Sequence, residues 1–264
     1  MDVASKFDQD NISIALITEP YVAYSKPASL PTNVKAIFSA SPRATILARN
    51  SLNVTQISHL LSRDMAVALY APRNQPKILL ASVYLDITKP VRQEGLVRIL
   101  QYARRQDLKL ILACDTNAHS PLLGGTDRSN KRGEDLEEVL AEFGLYTENR
   151  GDVPTFAAPR GSTLAESFID GTFTINFDAP LCDWRVCPDY NGSDHRSILF
   201  SLPDLAPPAA PSWNWRKIDW KLFRTTLAAF QIHTPDIINK KALDKMVHKL
   251  YVGIERAVQA SCPK

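Results

Sequence analysis

The chain has 264 residues, 45% of them hydrophobic and 22% charged, with a formal net charge of +3 and four cysteines. That length allows one full-sized core plus an appendage. No apolar run reaches the roughly 18 residues of a membrane span, and the opening residues lack a basic start followed by an apolar stretch, so a soluble, non-secreted protein is expected.

The elements follow in order. Ile12 to Thr18 is an apolar, β-branched run that ends at Glu19-Pro20, and further strand-like runs cover Ala44 to Ala48, Met65 to Tyr70, Ile78 to Tyr84 and Leu108 to Cys114. After Lys89-Pro90, Leu96, Ile99, Leu100 and Ala103 share one helical face. Glu134 to Phe143 repeats that spacing with Leu136, Val139, Leu140 and Phe143, and Gly144 stands just past its end as a C-cap. Short strands are expected at Thr155-Phe156, Ser167 to Phe173, Trp184 to Cys187 and Ile198 to Leu202. Strands with interspersed helices predict an α/β sandwich of two sheets faced by helices.

Pro203 to Pro211 cannot continue a strand ladder, so a domain is expected over 1–202, a Pro-rich linker over 203–212 and a helical segment over 213–264. In the tail, Ile218, Trp220, Phe223, Leu227 and Phe230 suggest a short helix. Thr234-Pro235 would start a second, whose stripe from Leu243 through Leu250 and Ile254 to Val258 reads as a packing face. From Trp213 onward ten basic residues stand against four acidic ones, which leaves the preceding domain net acidic. Any grip on a nucleic-acid backbone must then come from local basic groups. Cys114, Cys182, Cys187 and Cys262 follow no zinc spacing; Cys182 and Cys187 read as reduced packing residues.

Several polar residues end apolar runs. Asp115 and Asn117 lie at the C-terminal end of a predicted buried strand, where open α/β sheets place ligands. There a carboxylate can orient or deprotonate a water and an amide can donate to a phosphate oxygen; an Asx-turn is the plainer alternative. Asp194-His195 follows a Gly-Ser turn and precedes a strand, so one side chain can face a metal and the other a scissile phosphate. The imidazole needs a carboxylate on its far nitrogen, for which Asp170 is the candidate; a capped turn with a surface histidine is the alternative. Glu19 and Asp194 form the natural pair for a magnesium ion, unless Glu19 is simply an exposed strand end. Tyr84 can donate to a phosphate or serve the core. Lys131, Arg132 and Arg160 lie in loops that either touch phosphates or are solvated. No Walker loop, Rossmann fingerprint or Gly-x-Ser-x-Gly elbow is present, which argues against kinase, dehydrogenase and serine-hydrolase chemistry.

Taken together, Glu19-Pro20-Tyr21, Val83-Tyr84, Cys114-Asp115-Thr116-Asn117-Ala118-His119-Ser120-Pro121, Arg132-Gly133, Pro154-Thr155-Phe156, Ser167-Phe168-Ile169-Asp170 and Ser193-Asp194-His195-Arg196 resemble the endonuclease/exonuclease/phosphatase superfamily. The narrower resemblance is to the apurinic-endonuclease-like domain of non-LTR, R1-type retrotransposon polyproteins, over about residues 10 to 202. It implies a four-layer α/β sandwich of two mainly antiparallel sheets flanked by helices, with a helical C-terminal appendage. It also implies a magnesium-dependent DNA endonuclease, with manganese as the alternative ion, that nicks one strand and leaves a 3′-hydroxyl for a reverse transcriptase domain of the same polyprotein, in the nucleus and away from membranes. By resemblance, Glu19 is a metal ligand with Asp194 near the metal, Tyr84 and Asn117 contact phosphate, Asp115 activates water, and Asp170 orients His195.

Three departures are visible. Leu122-Leu123-Gly124-Gly125 replaces a phrase that usually carries tryptophan, and Gly171 replaces an apolar residue. Members of the family also begin with a strand ending in asparagine, and Asn11 cannot substitute, being eight extended residues, about 26 Å, from Glu19. A catalytically impaired fragment that at most binds nucleic acid is therefore the rival expectation, ahead of a lipid or inositol phosphodiesterase of the same fold.

Overall fold

The computed structural model describes residues 7, 10–23, 26–27, 30, 33–39, 42–125, 129–161, 163–188, 192–203, 217–229 and 240–262. They fall into two compact units that divide between Leu205 and Ala206.

The strands of the first unit begin with β1 (Ile14–Thr18), β2 (Val22–Ala23), β3 (Lys26–Pro27), β4 (Val34–Ile37) and β5 (Ala44–Arg49). Next come β6 (Val54–Gln56), β7 (Met65–Tyr70), β8 (Ile78–Tyr84), helix α1 (Glu94–Arg105), β9 (Lys109–Asp115) and helix α2 (Lys131–Phe143). The unit closes with β10 (Tyr146–Thr147), β11 (Phe156–Arg160), β12 (Thr163–Ser167), β13 (Asp170–Ile175), β14 (Cys182–Val186) and β15 (Ile198–Ser201).

A six-stranded sheet in the order β10-β13-β9-β8-β7-β6 forms the centre. β8 and β9 pair in parallel and every other pair is antiparallel. Parallel neighbours need a long crossover, and α1 supplies it. β8 is buried throughout, and apolar but for the Ser82 hydroxyl and the Tyr84 phenol, because both its faces are covered. Leu79, Ala81 and Val83 face the helices, where they meet Leu96, Ile99 and Leu100 of α1 and Leu136, Val139 and Leu140 of α2. Ile78 and Leu80 face the other way, toward Ile46 and Ala48 of a three-stranded sheet in the order β1-β5-β4. Phe7, Val34 and Leu47 pack together as a further cluster on that second sheet. Helices, large sheet, small sheet and outer cluster thus follow from strict alternation along each strand.

The ends of α2 follow local rules. Asn130 accepts the Gly133 N–H at 2.7 Å as N-cap, and Gly144 ends the helix at φ 60°. A Cβ on Gly133 would collide with the His119 carbonyl, so only glycine lets the helix start approach that loop.

The structure adds detail in four places. The second sheet is not continuous: β14 and β15 pair with each other, and β1 pairs with β5, but β1 and β15 do not pair. The run from Ser167 to Phe173 is broken, because the Ile169 and Asp170 N–H groups both donate to Thr155 Oγ1 and the Ile169 carbonyl accepts from Thr116. Asp170 therefore opens β13 instead of ending a strand. Cys182 is exposed rather than packed. Gly171 gives room to the Phe173 ring, which a Cβ there would strike.

The second unit contains α3 (Trp220–Ala228) and α4 (Lys240–Ser261). Asp219 caps α3 by accepting the N–H groups of Lys221 and Leu222, and donates its own N–H to the Ser261 carbonyl at 2.9 Å. Thr234-Pro235 and Phe230 lie outside the described residues. Val247, Leu250 and Ile254 of the expected packing stripe are exposed, as are Trp220 and Tyr251, whereas Ala257 of the stripe is buried. No described helix is long and apolar enough to cross a membrane.

Ile99 is fully buried between α1 and the central sheet. Ile99→Ala is expected to lower unfolding stability by about 2–5 kcal/mol, read as a shifted urea midpoint at constant m-value.

Candidate active site

Three neighbouring strands align their polar residues. In the parallel β8–β9 ladder Tyr84 is the partner of Asp115, and in the antiparallel β9–β13 ladder Asp170 is the partner of Asp115. One row across the sheet edge therefore reads Tyr84, Asp115, Asp170. His195, on the turn before β15, completes the row from the other side. Its Nδ1 lies 2.9 and 3.1 Å from the two Asp170 carboxylate oxygens, and its Nε2 lies 3.9 Å from Asp115 Oδ2. Its ring stands edge-on to Phe156 at 5.1 Å.

Backbone pairing fixes that histidine. Phe156 and His195 form an isolated bridge, Ala157 N–H donates to the Asp194 carbonyl at 2.7 Å, and Arg196 N–H donates to the Thr155 carbonyl at 2.7 Å. Asp170 is held through its backbone as well. Asn149 Nδ2 donates to its carbonyl at 2.9 Å, and Thr155 Oγ1 accepts its N–H at 3.1 Å. Thr155 and Asn149 are support residues that no strand or helix periodicity would reveal.

Charge concentrates here. Burial raises the Asp115 carboxyl to about 7, and the Asp170 charge pushes the same way, against smaller opposing effects of His195 and the Asn117 N–H. Burial alone would lower His195, but the Asp170 carboxylate on Nδ1, with the charges of Asp115 and Asp194, outweighs it and raises the imidazole to about 9. Burial, and then the Glu19 charge, raises Tyr84 above its ordinary value, so it stays a neutral phenol and a donor. At neutral pH the row therefore holds a charged imidazolium beside a carboxyl poised to exchange its proton.

Asn117 differs from expectation in geometry. β9 ends at Asp115, and Asn117 lies beyond it at φ 48°, so strand alternation does not aim its side chain. Its N–H donates to Asp115 Oδ1 at 3.2 Å and its Nδ2 donates to the Leu85 carbonyl at 3.2 Å. Glu19, also left-handed at φ 46°, is exposed at the end of β1, with its N–H on the Arg43 carbonyl. Asp194 is exposed.

The basic residues separate. Arg132 donates to the carbonyls of Thr116, Lys89, Leu85 and Asp86, so its guanidinium ties the loops behind the site together. Lys131 is exposed and pairs with Glu134 and Asp135 on its own helix. Arg160 is exposed at the end of β11, in the β11–β12 hairpin.

A cleft of about 1100 Å³ opens beside the row. Its walls include β1 and β15, and Glu19, Asp115, Asp170, Asp194 and His195 all line it. For a divalent ion the donor chemistry fits in two ways. Asp115, Asp170 and His195 each offer a ligand atom within 4.8 Å of the others, and Glu19 and Asp194 add exposed carboxylates on the same cleft. Carboxylate oxygens with room left for water suit magnesium, while an imidazole in the set suits softer ions such as manganese.

Residues 78–199 match the family described as endonuclease-reverse transcriptase. The endonuclease domain of TRAS1, a telomere-specific non-LTR retrotransposon, is 30% identical, with a TM-score of 0.64 over 75% of this chain and 90% of that one. The chain belongs to the endonuclease/exonuclease/phosphatase superfamily. The catalytic domain of Xenopus laevis APE2, at 14% identity and a TM-score of 0.53 over 77% of this chain and 89% of that one, shares the fold. A superfamily protein from Leptotrichia buccalis also shares it, at 12% identity and a TM-score of 0.52 over 76% and 91% of the respective chains. No curated protein matches the chain.

Both titration shifts act in the same direction on stability. Asp115 is raised, so its contribution is present below about pH 4 and is lost as pH rises through about 7; His195 is raised, so its contribution is present below about 6.5 and is lost as pH rises through about 9. Metal-free protein in EDTA is expected to lose stability progressively from pH 4 to 9. Asp115→Asn is expected to flatten that profile and add roughly 1–3 kcal/mol at pH 8, checked by urea unfolding.

Proposed function

We propose that this chain is a divalent-cation-dependent DNA endonuclease that hydrolyses one phosphodiester bond by attack of water. The observation that carries the reading is the row in which Asp115 stands between Tyr84 and Asp170 with His195 bound to Asp170. The 30% identity to a retrotransposon endonuclease supports DNA as the substrate.

In this reading Asp115, with a carboxyl poised near neutral pH, takes the proton from the attacking water. His195, held as an imidazolium by Asp170, stabilises the charge that develops on the phosphoryl oxygens. Tyr84, as a neutral phenol, donates a hydrogen bond to a non-bridging oxygen, and Asn117 steadies Asp115 through its N–H. Glu19 and Asp194 would hold magnesium or manganese, which supplies Lewis-acid stabilisation of the phosphate. Of the three basic residues expected to contact the DNA backbone, Lys131 and Arg160 keep exposed side chains for it, and a reverse transcriptase domain of a parent polyprotein in the nucleus would use the nick.

A second reading, reduced catalysis, is favoured by the open cleft. Arg49 N–H donates to Ser13 and Glu19 N–H to Arg43, which aims the backbone groups of Ile14, Leu16 and Thr18 away from β5. The Cys187 N–H donates to Ser197, which likewise turns those of Ile198 and Phe200 away from β14. One more strand between them would pair with both edges.

Supercoiled plasmid is expected to be nicked with magnesium and not with EDTA, and His195→Ala or Asp115→Asn is expected to slow nicking by about 10²–10⁴-fold. Cleavage that ignores the metal or these substitutions overturns the proposal. On the second reading the 264-residue chain is expected to bind plasmid in a salt-sensitive way without magnesium-dependent nicking; such nicking would remove that reading.

A further inference from the structure

Arg43 links two parts of the site. Its carbonyl accepts the Glu19 N–H at 2.8 Å, and its own N–H donates to the Arg63 carbonyl. Its guanidinium lies 3.8 Å from the centroid of the Tyr84 ring. Nη1 donates to Asp86 Oδ2 at 2.8 Å, and Nη2 donates to Glu19 Oε1 at 3.2 Å. Asp64 Oδ1, buried and without a hydrogen-bond partner among the described residues, lies 3.7 Å from Nη1. One planar cation thus joins the end of β1 to the end of β8, and three carboxylates hold it there. Arg43 itself is 22% exposed, so water screens these contacts only in part.

We propose that Arg43 is a positioning residue that competes with the divalent cation for Glu19 while keeping Tyr84 in line for the phosphate. The proposal rests on the nuclease reading. The Glu19 oxygen bonded to the guanidinium is one that a cation would use, and two positive groups so close repel each other. Cation loading therefore draws Glu19 away from Nη2, while Asp86 and the Tyr84 face retain the rest of the guanidinium. Loss of the guanidinium then has opposite effects: the cation binds more tightly and turnover falls. A merely structural role would weaken both. A lysine keeps the charge but cannot fork between Glu19 and Asp86 and stack on Tyr84 at once.

The test uses the full 264-residue chain, with manganese as the probe. Free manganese measured by electron paramagnetic resonance gives its dissociation constant without reference to activity, and plasmid nicking at saturating manganese gives turnover. Arg43→Ala is expected to bind manganese about five- to tenfold more tightly, the scale of a partly exposed ion pair, and to nick at least tenfold more slowly. Arg43→Lys is expected to keep ordinary manganese affinity and still nick slowly. Glu19→Gln is expected to weaken manganese binding and to abolish the effect of Arg43→Ala when the two are combined.

Unchanged or weaker manganese binding by folded Arg43→Ala overturns the proposal, as does full nicking by either Arg43 variant. If Arg43→Ala does not fold, the nicking rate of Arg43→Lys decides. A chain that nicks under no condition defeats the nuclease reading instead, and the manganese arm still decides whether Arg43 and the cation compete.

Discussion

The site depends on one register. β9 pairs with β8 in parallel and with β13 in antiparallel sense, and both ladders meet at Asp115. A slip of one residue in either ladder would turn Tyr84 or Asp170 to the opposite face and dismantle the row. The two apolar clusters on the two faces of the sheet prevent the slip, because it would carry Leu79 and Val83 toward the small sheet and Ile78 and Leu80 toward the helices. Core packing and site geometry are thus one constraint.

The register brings charge together at a cost. Asp115 is buried beside Asp170, and its raised titration point records the strain of that burial. His195 relieves the strain on one side, with Asp170 on its Nδ1. On the far side of Asp115 in the row, Tyr84 carries the Arg43 guanidinium on its face, among Glu19, Asp86 and Asp64. Ser82, buried in β8, donates to the Ile17 carbonyl at 2.9 Å and ties the two sheets together just before Glu19 and Tyr84. The row and the Arg43 cluster are therefore positioned by the same strands.

Residues behind the site do as much as those in it. Arg132 spans four carbonyls from two loops, Gly133 admits the His119 carbonyl, and Thr155 takes two N–H groups at the start of β13. These roles explain why short phrases such as Arg132-Gly133 and Pro154-Thr155-Phe156 accompany the acids in the sequence. They also show why a charged residue in a family phrase need not touch the substrate.

The strands from Met65 to Tyr70 and from Ile78 to Tyr84, the helix through Ile99 and the C-cap at Gly144 were legible from periodicity and turn chemistry, because these depend on neighbours within a few residues. The ordered acids, read as a set, pointed to the superfamily. Other features depended on partners far along the chain. Asp170 opens a strand because Thr155 and Thr116 capture the backbone ahead of it, Asn117 leaves the strand in a left-handed turn, and Arg132 is consumed by carbonyls. Arg43 carries no local signal, since its partners come from β1 and from the two ends of the β7–β8 hairpin. Local hydrogen bonding and hydrophobic period determine the elements. Only tertiary packing, which spends or frees each polar side chain, decided which of them form the site.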